Sequence, residues 1–132
     1  MSQENLELTR LGFAALNRTD PDAFIALCDP RFAMHLVGVV GEPVYYGGAD
    51  GVHQFVADMS EMWSDFGVEI EEIRDLDDQV LVIGKWWARG RVSDIEVNSP
   101  RGWVVAVRGG FLTAIRFFLT PEEALKAVGL EE

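Results

Sequence analysis

Residues 103–130 read WVVAVRGGFLTAIRFFLTPEEALKAVGL, and this stretch decides the fold. Trp103 to Val107 and Phe111 to Leu119 are β-branched and aromatic runs separated by Arg108-Gly109-Gly110, which reads as two strands joined by a tight turn. Thr120-Pro121-Glu122-Glu123 then places an N-cap, a proline at the first helical position and a capping-box glutamate in order. Gly129 supplies a left-handed stop. Few folds end in a hairpin followed by one short helix, so this ending narrows the architecture.

Working outward, Glu4 to Arg18 reads as a helix, with Leu8, Leu11, Ala15 and Leu16 on one face and Phe13 beside it. Asp20-Pro21 opens a short second helix, and Asp29-Pro30 ends it, because the residue before a proline is pushed out of the helical region. Phe32 to Val40 reads as a strand, and Gly41 to Gly51 as a Gly- and Pro-rich loop carrying Tyr45 and Tyr46. Asp50 caps a third helix to about Phe66, whose stripe of Val52, Phe55, Val56, Met59, Met62, Trp63 and Phe66 reads as core packing rather than a cofactor box. Val68 to Ile73 is a strand, Asp75 to Asp78 an acidic turn, Gln79 to Ser93 a long strand, and Asp94 to Gly102 a turn or widened connection. Helices lead and an antiparallel sheet trails, which is an α+β order.

The chain has 132 residues, 48% of them hydrophobic, which predicts one domain over 1–132 with a single substantial core. A net charge of −11 argues against nucleic acid and against an anionic membrane surface. The single cysteine, Cys28, excludes an internal disulfide framework and reads as a small buried hydrophobe. A polar, acidic N-terminus and the lack of any run of transmembrane length lead to the expectation of a cytoplasmic protein. The two histidines stand in neither HxH nor HxxxH spacing, so no metal site is expected, and no cofactor motif occurs.

Ala14-Ala15-Leu16-Asn17 with Asp20-Pro21-Asp22, the loop Pro43-Val44-Tyr45-Tyr46-Gly47-Gly48-Ala49-Asp50, Gly90-Arg91-Val92-Ser93, and Glu123-Ala124-Leu125 through Gly129-Leu130 resemble, in order and spacing, the SnoaL-like family. That family is related to polyketide cyclases and belongs to the nuclear transport factor 2-like superfamily. The resemblance implies a cone in which a curved antiparallel sheet wraps around helices and encloses a pocket. It also implies a homodimer through the outer sheet face. Ketosteroid isomerase shares the fold, but its strand aspartate falls at Leu36, its first-helix tyrosine at Gly12 and its protonated aspartate near Trp103. None of these groups is present, so steroid isomerase chemistry is not expected.

The strand Gln79 to Ser93 has two unlike faces. Val80, Val82, Gly84, Trp86 and Ala88 are apolar or small, and are taken as the dimer face. Leu81, Ile83, Lys85, Trp87 and Arg89 begin apolar and become cationic, and by the resemblance they form the concave face. The expected pocket is lined by Phe55, Met59 and Trp63 from the third helix, and by Leu81, Ile83, Trp87, Trp103, Ile115 and Phe117 from the sheet, with Lys85 and Arg89 supplying its charge. A one-residue slip would exchange the two faces. For Arg89 and Arg91 the alternative is a solvated strand end paired with carboxylates, and for Lys85 a surface lysine. His35 and Asp94 are the candidates for a general base, although alternation sets His35 opposite Met34 and Leu36.

Two functions stand side by side. One is an enzyme carrying out an acid/base isomerisation, cyclisation or epoxide opening on a flat apolar substrate. The other is a non-catalytic ligand-binding or dimerisation module with the same cavity. A small apolar or aromatic molecule is the expected partner in both.

Overall fold

Local sequence signals place the start of the second helix and both ends of the last. In the computed structural model, which describes residues 2–36, 44–93 and 95–130, α1 spans Ser2–Asn17 and α2 spans Pro21–Ile25. The Asp20 side chain caps α2 by accepting from the Ala23 N–H at 3.1 Å. At the other end of the chain, Thr120 caps α4 (Pro121–Ala127) by accepting from the Glu123 N–H at 3.1 Å. Gly129 takes φ 77°, and the Leu130 and Gly129 N–H groups return to Leu125 and Lys126, closing α4 with a Schellman motif.

Between these ends lie β1 (Cys28–Leu36), β2 (Val44–Gly47), α3 (Gly48–Met62), β3 (Trp63–Asp75), β4 (Gln79–Gly90), β5 (Glu96–Arg108) and β6 (Phe111–Phe118). Four differences from the sequence reading concern this region. α2 ends at Ile25, so Asp29 and Pro30 lie on β1 and do not terminate the helix. Gly47, and not Asp50, stands at the N-cap of α3, and Asp50 falls in its first turn. Tyr45 and Tyr46 lie on β2, paired with β1, and not in a loop. Trp63 and Phe66 belong to β3, because pairing with Gly90 through Ala88 of β4 overrides the helical periodicity that runs on past Met62. The expected continuation of the first strand over residues 37–40 lies outside the described residues.

The six strands form one sheet in the order β2-β1-β6-β5-β4-β3. All pairs are antiparallel except β1 and β6, which run parallel, so the expected antiparallel sheet is mixed at this one pair. The β5–β6 turn is Gly109-Gly110, with φ of 61° and 83° at its two residues, as a two-residue hairpin loop of the primed type requires. At the free edge, the Asn17 amide donates to the Val68 carbonyl at 3.0 Å and accepts from the Val68 N–H at 2.8 Å, so a side chain from α1 occupies part of β3's open edge.

Two apolar layers sandwich the sheet. On the concave side, Phe13 of α1 and Val52, Phe55 and Val56 of α3 pack on Val80, Val82, Trp103, Val105 and Ile115. On the convex side, Ala124 of α4 packs on Leu81, Val104 and Phe118. The sheet bends where β3 carries a bulge between Ile70 and Glu72, opposite Gly84 and Ile83. A Cβ at Gly84 would collide with the Glu69 carbonyl oxygen, a backbone atom that cannot swing away. Gly84→Ala is therefore expected to lower the unfolding free energy by about 1–3 kcal/mol, seen as a lower urea midpoint; an unchanged midpoint would contradict this packing.

Candidate functional site

Between α3 and the sheet lies a cavity of about 320 Å³. Leu36 of β1, Phe55, Met59 and Met62 of α3, and Trp63 at the start of β3 form part of its lining. Trp86 of β4, Arg101 and Trp103 of β5, and Phe117, Phe118 and Leu119 complete it. Register brings the sheet residues together: Trp103 is paired with Val82 on one side and Phe117 on the other, and Arg101 is paired with Gly84. Phe55 meets Phe117 with ring centroids 5.6 Å apart, which joins the helix wall to the sheet wall.

Arg101 is the only charged side chain among the described lining residues. Its Nε donates to the Ser99 Oγ at 3.2 Å. Burial lowers its pKa, but an arginine begins so high that it stays charged. Sequence reasoning missed Arg101 because Pro100 made residues 94–102 look like a turn. Pro100 is tolerated in β5 because residues 96–101 pair with β4 alone, before β6 joins at Gly102.

Phe55, Met59, Trp63, Trp103 and Phe117 line the cavity. Ile115 lies in the core beside it, paired with Val105 and almost fully buried. Lys85, Trp87 and Arg89 do not line it, and their expected position is corrected here. The faces of β4 are exchanged: Val80, Val82 and Trp86 pack with the concave core, while Leu81 and Ile83 pack beneath α4. The physical reason is that both faces of β4 are covered, so an apolar alternation marks neither as the inner one. Lys85 Nζ lies 3.8 Å from Glu71, and Arg89 Nη2 lies 3.4 Å from Glu96. Trp87 covers Gly67, and with Arg89 it borders a separate groove of about 180 Å³. The same exchange removes Val80, Val82, Gly84, Trp86 and Ala88 as a dimer face, since the chain's own helices and β3 cover that side.

His35 packs on Tyr45 with ring centroids 5.1 Å apart, on the strand face opposite Leu36, and does not line the cavity. Asp94 lies outside the described residues. His53 sits on the exposed face of α3 with Nε2 3.1 Å from Asp22. Among the described residues, no group of three or more His, Cys, Asp or Glu is placed to hold a metal ion, and no helix is long and apolar enough to cross a membrane.

Two other groups have shifted proton affinities. Burial, with Asp29 adding to it, pushes the Cys28 thiol from 9.0 up to about 12, so it is not a nucleophile at neutral pH. Burial, and then a 2.7 Å hydrogen bond donated to Asp58, push the Tyr46 hydroxyl from 10.0 up to about 12. Both groups hold their proton in the folded chain at a pH where the unfolded chain has lost it. Their stabilisation is complete below pH 9 and is lost as the pH rises toward about 12. Cys28→Ala and Tyr46→Phe should each flatten the decline of the urea midpoint between pH 9 and pH 11, whereas a wild-type midpoint that is level across that range would contradict the shifts.

The sequence profile of the SnoaL-like domain matches residues 10–116. No curated protein matches the chain in sequence. Among solved structures, a hypothetical protein with a ketosteroid isomerase-like fold from Catenulispora acidiphila, in complex with trimethylamine, superposes with a TM-score of 0.77 at 18% identity, covering 94% of this chain and 93% of that one. A nuclear transport factor 2-like protein from Burkholderia pseudomallei gives 0.79 at 16% identity, covering 98% and 99%. TerC, co-crystallised with polyporic acid, gives 0.77 at 16% identity, covering 88% and 91%. With the profile spanning most of its length, the chain belongs to the SnoaL-like family, and its α+β cone is the fold of these nuclear transport factor 2-like and ketosteroid isomerase-like structures.

Proposed function

We propose that this protein binds a small, largely apolar ring compound in the cavity between α3 and the sheet, and acts there as a binding protein rather than an acid/base catalyst. The observation that carries this reading is the lining itself. Among the described residues it comprises ten apolar side chains and one arginine. A general acid or base must stand within hydrogen-bond reach of the proton it moves. No carboxylate, histidine, tyrosine or cysteine is among those lining residues.

The cavity volume of about 320 Å³ falls at the lower end of the ~300–1,000 Å³ usual for ligand sites, which suits a body of two or three rings. Trp63, Trp86, Trp103, Phe55 and Phe117 offer flat walls to such a body. The structural neighbours support a ligand-binding use of the fold without naming this ligand: one holds trimethylamine and another was crystallised with polyporic acid. Ligands so unlike on one fold leave the lining side chains to set the choice.

The neutral fluorophore N-phenyl-1-naphthylamine tests the reading. It should bind saturably at one site, with emission sensitised by the cavity tryptophans. Met59→Trp, which fills the space, should weaken it tenfold or more, whereas Trp87→Phe on the outer face should leave it unchanged. Absence of saturable binding, or equal binding by wild type and Met59→Trp, would overturn the assignment.

A further inference from the structure

We infer that Arg101 makes this cavity selective for a planar organic acid, a ring compound carrying a single carboxylate, phenolate or enolate that meets the guanidinium. The inference rests on the cavity being the binding site, and it adds the chemical class of the ligand.

The chain has 22 acidic and 11 basic residues, so any cation has a two-to-one surplus of carboxylates to pair with. Other cations of the sheet show this: Arg74 is paired with Glu72, Lys85 with Glu71 and Arg89 with Glu96. Arg101 has no carboxylate within pairing distance among the described residues, although it is less exposed than Arg74 and Arg89; Arg31, Arg108 and Arg116 are also without one, Arg116 lying over the Phe118 ring, but none of these three lines the cavity. A partly desolvated charge is costly to leave unpaired, and a fold with this surplus has every opportunity to supply a partner. This unpaired cation lines the cavity between α3 and the sheet.

The geometry suits an acid group. Arginine has five N–H donors in a fixed fork. The described contacts use one of them, Nε to Ser99, which holds the side chain and leaves the terminal amino groups for another acceptor. Opposite Arg101 on β4 stands Gly84, which has no side chain to compete for them. A guanidinium matches a carboxylate through two parallel hydrogen bonds. The surrounding Trp86, Trp103 and Phe117 accept the rings but have no further cation to offer. A dianion such as a phosphate monoester would therefore bring one charge more than the site neutralises, and an ammonium would meet a like charge. One negative charge on an apolar plane is what remains.

The experiment compares 2-naphthoate with 2-naphthamide by calorimetry at pH 7, on wild type, Arg101→Met and Arg101→Lys. Wild type should bind the acid at least tenfold more tightly than the amide. Arg101→Met should abolish the preference while keeping amide affinity within twofold, and Arg101→Lys should retain part of it. A second arm uses wild type alone: naphthoate binding should weaken as the pH falls toward the carboxylate range near ~4, with the amide unaffected. Equal affinity of wild type for acid and amide, or an equal loss of both in Arg101→Met, overturns the selectivity and leaves cavity binding standing. Failure of wild type to bind either compound overturns both.

Discussion

Trp103 meets the edge of Phe13 with ring centroids 5.7 Å apart and planes at 71°, and both side chains are almost wholly buried. Such a pair contributes about 0.5–1.5 kcal/mol beyond the area it buries, but its larger consequence is geometric. It fastens α1 to the centre of the sheet and so determines which face of β5 is inside. Val82 and Phe117 flank Trp103 in register and must face the same way. Along β4 the alternation then carries Trp86 inward and Trp87 outward. The cavity lies between α3 and that inner face, so its chemistry follows from this one contact.

The outer layer follows the same logic with smaller groups. α4 lies over Leu81, Val104 and Phe118, and it approaches closely enough that a Cβ at Gly102 would come within 2.5 Å of the Ala124 Cβ. A helix this short holds little intrinsic stability. Its Thr120 cap, its Schellman closure and the fit of Ala124 over Gly102 together keep it on the sheet. The convex face of β4 is therefore continuously apolar where α4 covers Leu81 and Ile83, and beyond the helix it carries Lys85 and Arg89 on either side of Trp87.

This explains what the sequence discloses and what it conceals. The caps of α2 and α4 and the Gly109-Gly110 turn are local devices, readable wherever they occur. Phe55 and Met59 are readable too, because helical periodicity points them at the sheet. The inner face of β4 is not. Both of its faces are apolar over Val80–Ile83, since helices cover both, and the change to Lys85 and Arg89 marks the end of α4's cover rather than the start of a binding surface. Trp63 looks helical by spacing and becomes a strand residue through its pairing partner, which is a long-range fact. Arg101 is hidden by Pro100, whose place in a half-paired stretch of β5 becomes evident only from the sheet order.

The central claim is that a ligand enters beside Trp86 and Trp103 and not beside Trp87. Of the four tryptophans, Trp63, Trp86 and Trp103 line the cavity and Trp87 lies on the outer face. Each indole N–H gives its own resonance in a proton–nitrogen correlation spectrum. Titration with N-phenyl-1-naphthylamine should shift the Trp63, Trp86 and Trp103 signals together, with one common affinity, and leave Trp87 in place. A shift confined to Trp87, with the other three unmoved, would contradict the account.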